Sequence, residues 1–584
     1  MRINRRCLVG ILGFLTLTGS VYAGERYSVK VETNVAMKTR DGINLRADIY
    51  RPEAPGKFPV ILQRTPYDKR NDVSTGLRFA ANGFVFIDQD VRGRNGSEGD
   101  WYPFKFESQD GYDAVEWAAG LPYSDGKVGL FGGSYVGATQ MLTAVASPPH
   151  LVGIMPFVTA TDYFEDWAYQ GGAFQQLLAQ AWSSALALDG LTRRTASTAL
   201  PTHWNLMNSP VDYPLLDPGN GSAGLANYYF DWIDHPTNDD YWKQWSIQRR
   251  FDKIQVPAFV VGGWYDLFQD GSLRTYMGIK SNGGSEAARN QTRLMMVVGG
   301  HAGGAETIGD VDFGKASVPD ITGLGIEWYD YILKGVDNEI SKQPRVKLFV
   351  MGQNKWRDEA DWPLQSAKNT SYYLHSEGKA NTLTGDGSLS DTPPGNEPVD
   401  QYIYDPNHPV PTHGGPVLGD TQRYPPGPLD QRAVESRPDV LVYTTPAFNH
   451  DTEVTGHVTL ELYVSSSAVD TDFVGKLIDV APNGQAENLT DGILRARFRT
   501  SEEKPELMNP GQVYKLTVDL WSTSNVFLAG HKLRLEIESS NFPRFDRNLN
   551  NGLSPETSTT PITATNVIYH DKTHPSALIL PVIP

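Results

Sequence analysis

The chain has 584 residues, 40% of them hydrophobic and 20% charged, and carries a net charge of −17. At roughly 100–200 residues per domain this length holds about two to four domains, and the composition supplies a packed core rather than a disordered coil. An acidic surface repels phosphate backbones and anionic membranes, so neither nucleic acid nor a membrane surface is expected as a partner.

Arg2, Arg5 and Arg6 precede an apolar run from Cys7 to Val21, and Val21-Tyr22-Ala23 ends it with a small-x-small pattern. This is the pattern of a secretory signal peptide (1–23) cut after Ala23, and it predicts a periplasmic or secreted protein. The run is shorter than the roughly 20 residues of a spanning helix. Cys7 is the one cysteine of the chain. The mature protein is therefore expected to have no disulfide, no cysteine metal site and no cysteine nucleophile. Losing three arginines with the leader leaves 48 basic against 68 acidic residues, a charge of −20.

From Tyr27 to Ile154, short apolar runs alternate with helical stretches. Phe58–Leu62, Phe84–Ile87 and Val128–Phe131 read as strands buried on both faces, with a helix at Asp110–Ala119 between the last two. That alternation predicts βαβ units and a parallel sheet over 24–156. Strand signals then vanish between Phe157 and Arg250. Gln175–Leu188 reads as a helix, and six of the thirteen tryptophans (Trp167, Trp182, Trp204, Trp232, Trp242 and Trp245) fall in this block. An α-rich block inserted into a sheet predicts a cap, 157–250, over an active site. Strands resume at Ala258–Val261 and Leu294–Val298, giving a second sheet segment over 251–343. Beyond it, Pro344–Gly352, Ser371–Leu374, His457–Val464, Phe473–Val480, Gln512–Leu520 and Lys532–Ser539 alternate between turn residues. They predict a C-terminal β-sandwich over 344–584.

Within Lys127 to Gly137, a strand runs into Gly132-Gly133-Ser134 and a helix follows over Tyr135–Val145. This is a nucleophile elbow: the tight turn lifts a serine above the sheet, and the helix N-terminus offers an N–H to a developing oxyanion. Val136 stands where the strict G-x-S-x-G pattern has its last glycine, and Gly137 comes one residue late. A serine needs a base, and the base needs a carboxylate to orient it. Ala258–Asp266 ends a buried strand in an aspartate, and Leu294–His301 ends the next in a histidine. The order Ser134, Asp266, His301 is that of α/β-hydrolases, and all three leave the carboxyl edge of the sheet. Asp270, a turn further on, is the alternative acid.

These residues resemble the cocaine-esterase-like (CocE/NonD) acyl hydrolases, a group related to X-Pro dipeptidyl-peptidases and α-amino-acid ester hydrolases. The resemblance spans nearly the whole mature chain. It includes Met37–Gly42, Arg64–Lys69, Asp90–Gly99, Gly132–Gly137, Trp328–Gly335, Asp430–Asp439 and Gly530–Arg534. It implies an α/β-hydrolase fold with an inserted helical cap and a C-terminal jelly roll. It also implies that Ser134 attacks the acyl carbon, His301 moves the proton and Asp266 orients His301. The oxyanion would lie between the Tyr135 N–H and the Tyr67 hydroxyl. The shifted glycine is the family's own form. One departure is the base loop: the family's Gly-Pro-Trp-x-His is Val298-Gly-Gly-His301 here, two residues shorter.

Relatives that take α-amino acyl groups hold the ammonium in a carboxylate cluster. Here Asp166 sits in the cap, while Leu267, Phe268 and Gln269 follow Asp266 with no acid before Asp270. The expected acyl pocket, formed by Asp166, Trp167, Leu267 and Phe268, is therefore mainly apolar. The reading is a serine hydrolase cleaving acyl esters or amides, with no cofactor. An X-Pro dipeptidyl-peptidase, an amino-acid ester hydrolase or a β-lactam acylase is the alternative, and a non-catalytic carbohydrate-binding protein the distant one. Asp546–Gly552 lacks a full calcium-loop pattern, and no metal site is expected.

Overall fold

A computed structural model describes residues 27–195, 226–301, 304–553 and 559–584. The leader with Cys7, and Trp204 of the cap, lie outside the described residues.

Ten strands form one sheet: β1 Val29–Lys38, β2 Asn44–Pro52, β3 Phe58–Thr65, β4 Val85–Asp90, β5 Ser124–Gly133, β6 Leu151–Phe157, β7 Phe259–Tyr265, β8 Arg293–Gly300, β9 Val346–Val350 and β10 Lys355–Glu359. Their spatial order is β1-β2-β4-β3-β5-β6-β7-β8-β9-β10. From β4 across to β9 all neighbours run parallel, and antiparallel strands flank them at both edges. The continuous apolar runs have a simple cause. Val60, Leu62, Val85, Ile87, Val128 and Leu130 enter the core on one face. Ile61, Phe86, Phe131 and Met155 enter the core on the other. Helices Glu107–Ala119, Tyr135–Val145 and Gln269–Asn282 cover the first face; Val73–Ala81 and Ile321–Ile332 cover the second. A sheet buried on both sides has no polar face to show in its sequence.

Between β6 and β7 lies the cap, with helices Gln176–Thr195 and Asn227–Asp234 and a widened helical turn Tyr163–Ala168. Its aromatics pack edge-on, as in Trp167 against Trp182, and stacked, as in Trp182 on Trp232. The C-terminal region is a sandwich-like β domain with long strands such as Thr452–Ser466 and Tyr514–Phe527 around its own core.

Two expectations are corrected. The run Pro344–Gly352, assigned to the sandwich and taken as its first strand, is β9 of the ten-stranded sheet, parallel to β8. A short apolar run has no label for the sheet it joins, and this one is drawn to the free edge of β8. The ten-stranded sheet therefore extends past 343, through β10. The edge strands β1 and β2 escaped the sequence reading because β1 is largely exposed and its pattern polar.

Candidate active site

The elbow is built by close packing. At Ser134 the backbone takes φ 59° and ψ −130°, a left-handed conformation that costs an L-residue of the order of 1–3 kcal/mol. Its neighbours leave no alternative to glycine. A Cβ on Gly132 would lie 2.2 Å from Val136 Cγ1, and one on Gly133 would lie 2.3 Å from the Phe157 ring. Gly137 explains the shifted motif: its Cβ would lie 2.8 Å from Thr159 Cβ. Close approach to Thr159, not the turn, demands that glycine, so Val136 can hold the preceding position and fill the space over Gly132.

Ser134, Asp266 and His301 come together. His301 Nε2 is 2.7 Å from Ser134 Oγ, and His301 Nδ1 is 2.8 Å from Asp266 Oδ1. Asp266 is fully buried, while His301 keeps 10% of its side chain exposed. The shortened base loop thus still delivers the imidazole to both partners. Asp270 is excluded as the acid, because Arg274 Nε holds it at 2.5 Å.

Around Ser134 two donors converge. The N–H of Tyr135 opens the Tyr135–Val145 helix, where no carbonyl of the helix can receive it. The Tyr67 hydroxyl accepts a hydrogen bond from Trp182 Nε1 at 2.9 Å and also interacts with Ser134. Burial raises the Tyr67 phenol above its ordinary value, against the pull of Trp182, Ser134 and Arg94, so the group is a neutral donor at pH 7. With Trp182 occupying a lone pair, the phenolic hydrogen is left free to donate. Trp182 is a site residue that sequence reasoning passed over; only its place in the Trp-rich cap hinted at it. The Tyr135 side chain turns away, accepting from Phe104 N at 2.8 Å and donating to Glu107 at 3.0 Å.

A cavity of about 590 Å³ opens beside these groups. Phe131, Phe157, Val158, Val261, Val297 and Ile321 give it apolar walls, and Leu418 reaches it from the C-terminal domain. The expected pocket residues lie elsewhere. Asp166 is 3% exposed and accepts from Thr161 N, Thr161 Oγ1 and Asp162 N at 2.9, 3.0 and 3.1 Å. Burial pushes it up to about 6, against Arg274. Trp167 stacks on Phe268 at 4.7 Å, and Phe268 meets the His301 ring edge-on at 5.2 Å. These two rings back the histidine instead of lining the cavity, and Leu267 is buried in the core. The reason is local: after Asp266 the chain turns at once into a helix packed under the cap.

Among the described residues no group of three or more His, Cys, Asp or Glu side chains is placed to hold a metal. Asp546 is paired with Arg495 at 2.9 Å.

The chain is similar to known proteins over nearly its whole length. Residues 41–303 match the X-Pro dipeptidyl-peptidase (S15 family) model, and residues 338–579 match the X-Pro dipeptidyl-peptidase C-terminal non-catalytic domain. The chain is 37% identical to a cocaine esterase from Rhodococcus sp. (strain MB1 Bresler), covering 95% of this chain and 98% of that one. Among solved structures, an α-amino acid ester hydrolase superimposes with TM-score 0.78 at 23% identity, covering 97% and 99% of the two chains. A CocE/NonD family hydrolase from Staphylococcus aureus superimposes with TM-score 0.70 at 20% identity, covering 95% and 93%. Those two likenesses speak for the shared fold, and the esterase match across almost the full length of both chains speaks for the family. The chain belongs to the CocE/NonD family of serine hydrolases.

Proposed function

We propose that the protein is an exported esterase that cleaves small acyl esters through an acyl-enzyme on Ser134. The observation that carries this is the single imidazole of His301 spanning 2.7 Å to Ser134 Oγ and 2.8 Å to Asp266. In the first step the Ser134 Oγ–H passes its proton to His301 Nε2 as the oxygen bonds to the acyl carbon. The carbonyl electrons move onto oxygen, held by Tyr135 N–H and the Tyr67 hydroxyl. Collapse of this intermediate breaks the bond to the leaving alcohol, which takes the proton from His301. Water then repeats the sequence, with His301 as base, and frees the acid. Asp266 holds Nδ1–H throughout and stabilises the imidazolium.

Esters are favoured over α-amino acyl substrates and X-Pro peptides because the carboxylates that would hold an ammonium are already engaged. Arg274 pairs with Glu165 and with Asp270, and lies 3.9 Å from Asp166. The relative named as a cocaine esterase points the same way. Export follows from the leader ending at Ala23, and N-terminal sequencing of the mature protein should begin at Gly24. A jelly-roll topology is the finer reading of the C-terminal domain.

Hydrolysis of a substrate panel by the mature protein and its Ser134→Ala form tests the activity. p-Nitrophenyl acyl esters should be cleaved, with Ser134→Ala at least about a thousandfold slower. Faster turnover of Gly-Pro-p-nitroanilide would establish a peptidase, and faster turnover of phenylglycine methyl ester an amino-acid ester hydrolase.

A further inference from the structure

The cavity beside Ser134 takes Asp72, Gln63 and Thr75 into its lining beside the apolar walls. Asp72 occupies the N-cap position of helix Val73–Ala81, where an aspartate ordinarily accepts hydrogen bonds from the first turn. Here it makes no side-chain capping bond. Its carboxylate instead accepts from Gln63 Nε2 at 2.7 Å. Gln63 is 4% exposed and lies against the elbow, its Oε1 being 3.5 Å from where a Cβ on Gly132 would stand. One buried amide therefore ties Asp72 to the turn that carries the nucleophile.

The nearby cations are committed elsewhere. Arg70 pairs with Asp68 at 2.5 Å, Lys69 with Asp90 at 3.2 Å and Arg78 with Asp320 at 2.6 Å. Among the described residues no ion pair includes Asp72. Asp88, 3.4 Å from Gln63 Nε2, is raised well above the usual carboxylate range by burial and then by Asp72 and Asp90. Asp72 is the carboxylate that lines the cavity. Phe131, Phe157, Tyr67 and Trp182 line the same cavity. Aromatic faces combined with a carboxylate form the surround that attracts an alkylated ammonium.

We propose that Asp72 is a specificity residue that holds an alkylammonium group of the ester substrate while Ser134 attacks the ester carbon. This rests on the esterase reading above. It differs from recognition of an α-amino acyl group, whose ammonium adjoins the carbonyl and would need the carboxylates that Arg274 occupies.

Two isosteric substrate pairs test it. Butyrylcholine is compared with 3,3-dimethylbutyl butyrate, which places the group on the alcohol. The p-nitrophenyl ester of 4-(trimethylammonio)butyrate is compared with that of 5,5-dimethylhexanoate, which places it on the acid. At least one cationic ester should exceed its neutral isostere in kcat/KM by about tenfold or more. Asp72→Asn should bring that ratio to about one, while Asp72→Glu, which keeps the charge, retains a preference. Asp72 makes no capping bond, and an amide oxygen can still accept from Gln63 Nε2, so Asp72→Asn should fold, and fluorophosphonate titration counts the competent sites. Absence of a cation preference in the native protein, or a preference that survives Asp72→Asn, overturns the proposal. Hydrolysis of p-nitrophenyl butyrate, run beside Ser134→Ala, reports separately on the esterase reading.

Discussion

At the scale of the residue, the site works through hydrogen bonds that each leave one atom free for chemistry. Asp266 fixes one nitrogen of His301 and leaves the other to Ser134. Trp182 fixes the Tyr67 oxygen and leaves its hydrogen to the oxyanion. Tyr67→Phe should lower kcat about 10²–10³-fold with a small change in KM, since a donor aimed at developing charge acts in the transition state. Trp182→Phe keeps the ring and loses only the N–H; the expected loss is about tenfold, because Tyr67 then turns freely. Steady-state kinetics with a p-nitrophenyl ester reads both, and an unchanged kcat in Tyr67→Phe would remove the phenol from the oxyanion site. Ser134, Asp266 and His301 were legible in the sequence because each ends a buried strand, in a fixed order. Trp182 and Asp72 were not, because what an indole N–H or an uncapping carboxylate touches is set by tertiary packing. Leu267 and Phe268, expected in the pocket, do not line the cavity beside Ser134. Adjacency to Asp266 in sequence says nothing of the direction the next helix takes.

At the scale of the element, polar pairs fix the register of the C-terminal sandwich. His570 on strand Ala564–Asp571 is 1% exposed and bonds Asp400 on strand Asp400–Tyr404 at 2.9 Å. Ser376 and Tyr443 donate to the same Asp400 oxygen at 2.6 and 2.8 Å. Burial opposes the charged imidazole, but the Asp400 bond and the Asp400 and Glu397 charges outweigh it, and His570 is raised above its ordinary 6.5. A raised base contributes stability that is complete below its unfolded value. That contribution is lost as pH climbs through the folded value. His570→Gln should therefore be less stable than the native protein below pH 6.5, and the gap should narrow as the pH rises past it. The difference between the two proteins isolates this group. Glu435 and Glu487, pushed up to about 7 by burial, titrate nearby in both. Thermal unfolding across pH measures it, and a gap independent of pH would contradict the assignment. The parallel strands β3, β4, β5, β7 and β8 were readable as unbroken apolar runs, whereas β6, interrupted by Gly153 and Pro156, was not singled out. The sheet that β9 joins was not readable, because a run of that kind fits either of the two sheets.

At the scale of the whole molecule, the three regions interlock around the site. Gln269, just after Asp266, accepts from Ser522 N at 2.9 Å and donates to Ser522 O at 2.7 Å and Trp264 O at 2.9 Å. The sandwich thereby grips the turn that carries the catalytic acid. Arg544 of the sandwich reaches Gln170 of the cap at 2.9 Å, and Asn238 of the cap meets Glu502 at 3.2 Å. Calorimetry should show one cooperative transition. Gln269→Leu should lower its midpoint, since three buried polar partners lose a bond at about 1–3 kcal/mol each. Two separate transitions would mean that the domains are held more loosely than these contacts imply.

The central claim is that Ser134 is the nucleophile, and covalent capture tests it most directly. Treatment with a fluorophosphonate, followed by peptide mass mapping, should place a single phosphonyl group on the peptide containing Ser134 and stop ester hydrolysis in proportion to labelling. Ester hydrolysis that continues in protein without a label on Ser134 would contradict the account.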